Sequence, residues 1–376
     1  MATVTLLQPT NMATMDSSMF APSVYADTNE IGVSNQNATA YAFCGGSFVI
    51  TSVNAVVGGT ITYALIDDDD YGALPNLEIE GASFALSLSY FDDVFNVGNV
   101  AQLVSDLLSG NDQLTGSSGN DMIMGFAGND TMIGGGGDNL FNGGSGIDTV
   151  SYAGASAGLF AGLEDAYANT GAALGDSYIL VENLIGSAFN DFFYGTDDNN
   201  RFTGGAGNDQ MVGKGGADTF DGGTGTDTAI YDATDPGIRA DLLSPGTNTG
   251  DAIGDVYISV ENLSGSSFDD ILLGTNNANV IRGNHYPGLS GADQLFGRGG
   301  NDTLLGNDQN DRLIGGTGRD VMTGGAGADV FDFNAVSEMG TSATTRDRII
   351  DFAHLTDDID LSTIDANGGA AGNTAF

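Results

Sequence analysis

The sequence predicts an all-β chain, a parallel β-roll preceded by a small β-rich N-terminal domain. Three observations carry this. A nine-residue beat of glycine, aspartate and one apolar residue runs through most of residues 107–332. A longer period is nested over it, so that Val181-Glu-Asn-Leu-Ile-Gly-Ser returns as Val260-Glu-Asn-Leu-Ser-Gly-Ser, and Asp148-Thr-Val-Ser-Tyr at the same shift as Asp227-Thr-Ala-Ile-Tyr. The composition is strongly acidic, with 50 Asp+Glu against 9 Lys+Arg, and holds 59 glycines and a single cysteine.

The beat is plainest in Gly204-Gly-Ala-Gly-Asn-Asp-Gln-Met-Val. Its first six residues must turn sharply, and glycine permits the positive φ that such turns use. Its last three form a minimal strand with Met211 on one face and Gln210 and Val212 on the other. Frames start at Leu107 (degenerate), Gly116, Gly125, Gly134 and Gly143, then at Gly186, Gly195, Gly204, Gly213 and Gly222. A third array starts at Gly265, Gly274, Gly288, Gly297, Gly306, Gly315 and Gly324. The eighth position is apolar in every frame, as in Leu114, Phe202, Phe220 and Phe331. A glycine-rich linker imitates the glycines but not a fixed aspartate together with a fixed apolar site.

The sixth position defines the candidate metal ligands: Asp112, Asp121, Asp130, Asp148, Asp191, Asp209, Asp218, Asp227, Asp270, Asp293, Asp302, Asp311, Asp320 and Asp329, with Asn139, Asn200 and Asn279 as poorer substitutes. If two frames make one coil, every second turn stacks on the same edge. Asp112, Asp130 and Asp148 then line one edge, and Asp191, Asp209 and Asp227 another, with Asp218 opposite. Such columns repel themselves unless a cation lies between turns. Carboxylate and carbonyl oxygens suit calcium, which takes about 6–8 oxygen ligands at about 2.3–2.6 Å. The expected ions are multiple and structural, and the chain is expected to be largely unfolded without them.

Charge excludes other partners. No Lys or Arg precedes Arg201, so neither nucleic acid, whose binding needs basic residues, nor an anionic lipid surface is expected. No apolar run approaches the roughly 18–20 residues of a transmembrane helix. The lone Cys44 cannot form an intramolecular disulfide, so metal is the expected staple. The opening MATVTLLQPTNMATMD has neither a basic nor a long apolar region, and a Sec signal is not expected.

Upstream of the repeats, residues 1–35 read as loosely ordered. The runs YAFCGGSFVITSV, GTITYALI, LEIEG and SFALSLSY read as strands. Asp67–Asp70 falls between two of them, either as a solvated hairpin tip or as a separate metal site. Asn99–Leu108 has helical apolar spacing and is expected to cap the roll or to pack in the N-terminal domain. Two related spacers, about Ser151–Ile185 and Tyr231–Ser264, are expected to continue the stack. The third array carries a five-residue insertion around His285–Leu289, read as a surface bulge.

Residues 107–332 resemble the RTX (hemolysin-type) calcium-binding repeats, GGxGxDxUx. The resemblance implies a parallel β-roll, export from a Gram-negative bacterium by type I (ABC-transporter) secretion machinery, and an extracellular protein that folds where calcium is abundant. Ala328-Asp-Val-Phe-Asp-Phe-Asn, Asp347-Arg-Ile-Ile-Asp-Phe and Asp357-Asp-Ile-Asp-Leu-Ser resemble the C-terminal domain of serralysin-type proteases. That domain usually continues beyond the point where this chain stops at Ala375-Phe376, so residues 333–376 are expected to be incomplete. The expected organisation is 1–106, 107–332 and 333–376.

A serralysin needs a zinc-binding H-E-x-x-H helix. The two histidines, His285 and His354, cannot supply one. Gly154-Ala-Ser-Ala-Gly fits G-x-S-x-G, but it falls in a spacer without strand–turn–helix context, and the related spacer reads Thr234-Asp-Pro-Gly-Ile. No enzyme is expected. The favoured function is a secreted calcium-binding protein of the matrix, the cell surface or adhesion. The alternative is an accessory or export portion of a secreted hydrolase whose catalytic part is absent or unrecognised.

Overall fold

The computed structural model describes six strand backbones between Thr3 and Glu80, then residues 108–164, 168–232, 237–285, 291–340, 342 and 344–364. The chain divides into two compact units. One is Met1–Tyr152 with Asp165–Asn183; the other is Ala153–Glu164 with Leu184–Phe376.

In the first unit, Gln113–Thr115, Thr131–Ile133 and Thr149–Ser151 pair in parallel. Met122–Met124, Leu140–Asn142 and Ser177–Ile179 form a second parallel ladder. Partners in the repeats lie two frames apart, as in Leu114 with Met132 and Ile123 with Phe141, so two nine-residue frames do make one coil. The middle residue of each short repeat strand faces inward. Leu114, Ile123, Met132, Phe141 and Val150 are buried, and a strand alternates its faces residue by residue.

The second unit repeats this construction at greater length. One ladder runs Phe160–Gly162, Phe192–Tyr194, Gln210–Val212, Thr228–Ile230, Asn262–Ser264, Val280–Arg282, Thr303–Asp308, Val321–Ala326 and Arg348–Ile349. Facing ladders contain Arg201–Ala206, Thr219–Thr224 and Val256–Ile258, then Arg239–Asp241, Ile271–Leu273, Gln294–Phe296, Arg312–Ile314, Val330–Asp332 and Asp358–Asp360. Eighth-position aromatic side chains of the second array lie one against the next. Phe193 stacks on Phe202 at 5.6 Å, and Phe202 lies 6.3 Å from Phe220. All eighth-position residues of the repeats are buried. A core one side chain wide is thin, because ordering each residue's backbone costs about 1–2 kcal/mol.

Both spacers continue the stack, as expected. Ser177–Ile179 pairs with Leu140–Asn142, and Val256–Ile258 pairs with Thr219–Thr224. Residues beyond the repeats also continue it. Arg348–Ile349 extends one ladder and Asp358–Asp360 the other.

Two expectations need correction. Residues 1–35 contain two strands, Thr3–Leu7 and Ile31–Ser34. Thr3–Leu7 runs antiparallel to Asn76–Glu80 and parallel to Gln113–Thr115, which gives the first repeat strand a neighbour. Its TVTLL alternates apolar and polar residues and is a strand signal overlooked beside the polar residues that follow. In the third array, the glycine that opens the frame of Asp293 is Gly283, not Gly288. A Cβ on Gly283 would fall 2.5 Å from the Gly306 carbonyl and against the Asp293 carboxylate. The five extra residues are inserted inside that turn, after Gly283.

The strands read in YAFCGGSFVITSV, GTITYALI and LEIEG are present as Thr39–Cys44, Phe48–Asn54, Ile61–Tyr63 and Asn76–Glu80. SFALSLSY, Asp67–Asp70, Gly288 and the expected helix up to residue 107 lie outside the described residues. Among those described, no helix is long and apolar enough to cross a membrane.

Candidate metal centres

Along the columns a turn aspartate uses one oxygen to hold the coil before it. Asp130 Oδ1 accepts the Asp112 amide, and Asp148 Oδ1 accepts the Asp130 amide, each at 2.8 Å. Asp209 and Asp227 do the same for Asp191 and Asp209. On the opposite edge Asp218 accepts the Asn200 amide, and further along Asp329 accepts that of Asp311. These are the columns that stacking of every second frame requires.

The second oxygen has no such partner. Among the described residues, Oδ2 of Asp130, Asp148, Asp209, Asp218, Asp227, Asp302, Asp311, Asp320 and Asp329 is buried and makes no hydrogen bond, while each residue is almost wholly buried. Isolated buried carboxylate oxygens are costly. Each points at the first glycine of its own frame. A Cβ on Gly204 would collide with Asp209 Oδ2 and lie 2.7 Å from the Gly222 carbonyl of the next coil. On Gly306 it would collide with Asp311 Oδ2 and lie 2.6 Å from Gly324 O. At Gly125, Gly143, Gly204, Gly222, Gly297 and Gly306 the space spared by the glycine is thus flanked by a carboxylate oxygen and a carbonyl oxygen from two successive coils.

A scan against family models matches the RTX calcium-binding nonapeptide repeat over residues 108–141, 115–150, 181–211, 194–229, 261–285, 288–313 and 305–335. The chain carries RTX calcium-binding nonapeptide repeats. No curated protein matches it.

The donor set of these RTX turns fits a hard cation. Among the described residues no group of three or more His, Cys, Asp or Glu side chains converges. Next-coil carbonyls stand beside several of these carboxylates, as Gly143 O does at Gly125, Gly222 O at Gly204 and Gly324 O at Gly306, and carboxylate with carbonyl is the mixed oxygen set that calcium accepts. When bound, calcium supplies the positive charge that lets neighbouring aspartates stay ionised in one column. Without it, burial pushes the Asp130, Asp209, Asp302 and Asp311 carboxyls up to about 7 and Asp218 up to about 8. Neighbouring aspartates add to the rise in each of these columns, and the backbone amides they accept oppose it.

The fourteen aspartates of the repeats do not all sit alike. In the frames of the nine aspartates just named, the second residue is left-handed: Phe126, Gly144, Gly205, Lys214, Gly223, Arg298, Asn307, Gly316 and Gly325. Five frames instead carry Ser117, Ser187, Thr196, Ser266 or Thr275 there, outside the positive-φ set. In these the second-position amide donates to the sixth-position side chain. Ser187 N reaches Asp191 Oδ2 at 2.6 Å and Ser187 Oγ reaches Oδ1 at 2.9 Å. Ser117 closes on Asp121 and Ser266 on Asp270 in the same way. Thr196 and Thr275 donate to the amide oxygens of Asn200 and Asn279. The Asp121, Asp191 and Asp270 turns therefore do not fit the metal as the open turns do. Asp112 heads its column, and Asp293 shares the Gly283–Gly306 cradle. The first-position glycines answer to space alone. Positive φ belongs to the second and fourth positions, as at Gly205 and Gly207.

Sequence reasoning missed the groups that carry the columns through the spacers. Glu182 and Glu261, from the repeated Val-Glu-Asn-Leu, accept the amides of Asp148 and Asp227 at 2.7 and 2.9 Å. Asp176 and Asp255 accept those of Asn139 and Asp218, each at 2.8 Å. Their other oxygens accept Tyr152 Oη at 2.7 Å and Tyr231 Oη at 2.5 Å, and each of these tyrosines also meets a second one, Tyr178 or Tyr257. A tyrosine hydroxyl thus stands where the open turns leave an oxygen bare. The signal was the long-period echo itself, which returns Tyr152, Asp176, Tyr178 and Glu182 as Tyr231, Asp255, Tyr257 and Glu261. Asp347 also extends a column, accepting the Asp320 amide at 2.8 Å while its Oδ2 is buried without a partner.

Ser156 lies exposed on a bend, and a strand rather than a helix follows it, so the G-x-S-x-G match is not a nucleophile elbow. His285 sits beside Phe192, ring centroids 6.5 Å apart, and burial lowers its pKa.

Proposed function

We propose that this chain is a secreted calcium-binding protein whose roll folds outside the cell after type I secretion, and that its task is structural, in the matrix, at the cell surface or in adhesion, rather than catalytic. The observation that supports the reading most is the file of buried Oδ2 atoms beside next-coil carbonyls, at Asp209, Asp227, Asp302 and Asp311 among others. Such a file is self-repelling in a calcium-poor compartment and bridged in a calcium-rich one. Calcium binding becomes folding free energy, which keeps the chain threadable before export and sets it afterwards. Weak extracellular affinities, about 10⁻⁴–10⁻³ M, suit that use.

Far-UV circular dichroism through a calcium titration tests the folding step. β-signal is expected to rise cooperatively with calcium and to collapse in excess EGTA at neutral pH. A full β-signal in EGTA at pH 7.5 would sink the proposal.

A further inference from the structure

We infer that the closed turns hold no calcium, and that the first coil after each spacer is a metal-independent step on which the calcium-bound coils are built. The inference rests on the calcium reading of the open turns and adds which turns are excluded from it.

The second array begins with two closed turns in succession, and so does the third. Frames 186 and 195 make up one coil; frames 265 and 274 make up the other. Each closed turn satisfies itself. Asp191 accepts Ser187 N, Ser187 Oγ and the amide of Leu159, the last at 2.9 Å. Asp270 accepts Ser266 N, Ser266 Oγ and the Ile238 amide at 2.8 Å. In turn the serine hydroxyls accept the amides of Phe189 and Phe268, each at 3.1 Å. Both oxygens of each carboxylate therefore already accept hydrogen bonds, and neither is left bare as Oδ2 is in the open turns. The partner turns carry Asn200 and Asn279, which are neutral, so a cation has less to neutralise there.

In the third array a side chain supplies the positive charge. Arg298 Nη1 donates to the Gly274 carbonyl at 2.7 Å and to Asp241 Oδ1 at 2.8 Å, and Nη2 donates to Asp241 Oδ2 at 2.7 Å. Gly274 opens a closed frame, and its counterparts in open frames offer their carbonyls to the metal cradle. The guanidinium occupies the role of the ion at that coil. Immediately before each of these coils lies a spacer whose aspartate is satisfied by a tyrosine hydroxyl. Each long repeat thus joins a hydrogen-bonded start to a metal-dependent continuation. Position two of the frame, Ser or Thr against a left-handed residue, separates the two kinds of turn.

Two measurements test this on the full chain. The first counts tightly bound calcium after gel filtration, by elemental analysis, in the unaltered protein, Asp209→Asn and Asp191→Asn. Asp209→Asn is expected to lose at least one ion and Asp191→Asn none, with folding in saturating calcium verified for both. Equal losses would overturn the inference and leave the calcium reading standing. Calcium bound by none of the three proteins would overturn both. The second measurement is hydrogen exchange on the unaltered, calcium-stripped chain, so no variant has to fold. Amides of 187–194 and 266–273 are expected to exchange roughly tenfold more slowly than those of 205–209 and 223–227. Equal exchange would overturn the metal-independent step.

Discussion

At the residue scale the first glycine of each open frame is constrained by space rather than by φ. Gly204 has ordinary φ, yet a methyl there would meet both Asp209 Oδ2 and Gly222 O. Gly204→Ala is therefore expected to close the cradle without changing any ligand. The variant should lose calcium affinity by roughly tenfold or more, the order of about 1.4 kcal/mol of unrelieved overlap, while Gly110→Ala, which meets nothing within 4 Å, should bind as before. Isothermal titration separates the two, and equal affinity would show that the cradle is not where calcium sits. Much at this scale was legible in the sequence, because a ligand and a core residue recur at fixed offsets. The handedness of position two was not. Phe126, Lys214 and Arg298 are left-handed, a state that L-residues adopt only when surroundings impose it, so their identity gives no hint of it.

At the scale of the element, the unit of structure is the coil, and the spacers show what a coil requires. In a repeat coil the bonded turns are 18 residues apart. The spacer coils reach their partners over 34 or 37 residues and still deliver a carboxylate to the same column. The spacers still place a carbonyl against the first glycine of one column, Leu180 O at Gly143 and Ser259 O at Gly222, while in the other column a tyrosine hydroxyl takes the carboxylate oxygen of Asp176 or Asp255. Tyr231→Phe removes the hydroxyl from Asp255 Oδ2 and leaves that oxygen buried. The expected cost is about 1–3 kcal/mol, read as a fall in the thermal midpoint in saturating calcium with the calcium count unchanged. A lost ion would mean instead that the spacer belongs to a metal site. The sequence showed the spacers as kin through their long-period echo, yet the partners of Tyr231 lie 24 and 26 residues away, beyond the reach of a local pattern. The same limit hid Gly283, because the insertion broke the beat that would have marked it.

At the scale of the whole molecule, the formal net charge of −41 makes compaction an electrostatic problem with two solutions, calcium or protons. Burial raises Asp209 from 3.8 to about 7 and Asp218 to about 8. A carboxyl with a higher pKa in the folded chain than in the unfolded one binds its proton more tightly when folded. Its contribution is complete below the unfolded value near 4 and is lost as pH rises through 7 to 8. Protonated aspartates also cease to repel along a column. Acid is therefore expected to replace calcium in part. Calcium-stripped protein should show more β-signal by circular dichroism near pH 5 than at pH 8, the reverse of a protein stabilised by ionised carboxylates. Adding calcium at pH 6.5 should release protons, measurable in a pH-stat, because binding requires the ionised form. At pH 8.5 the release should shrink as the columns are already deprotonated. β-signal in the stripped chain that grew with pH would contradict the burial of these oxygens, and with it the link between folding and the ion.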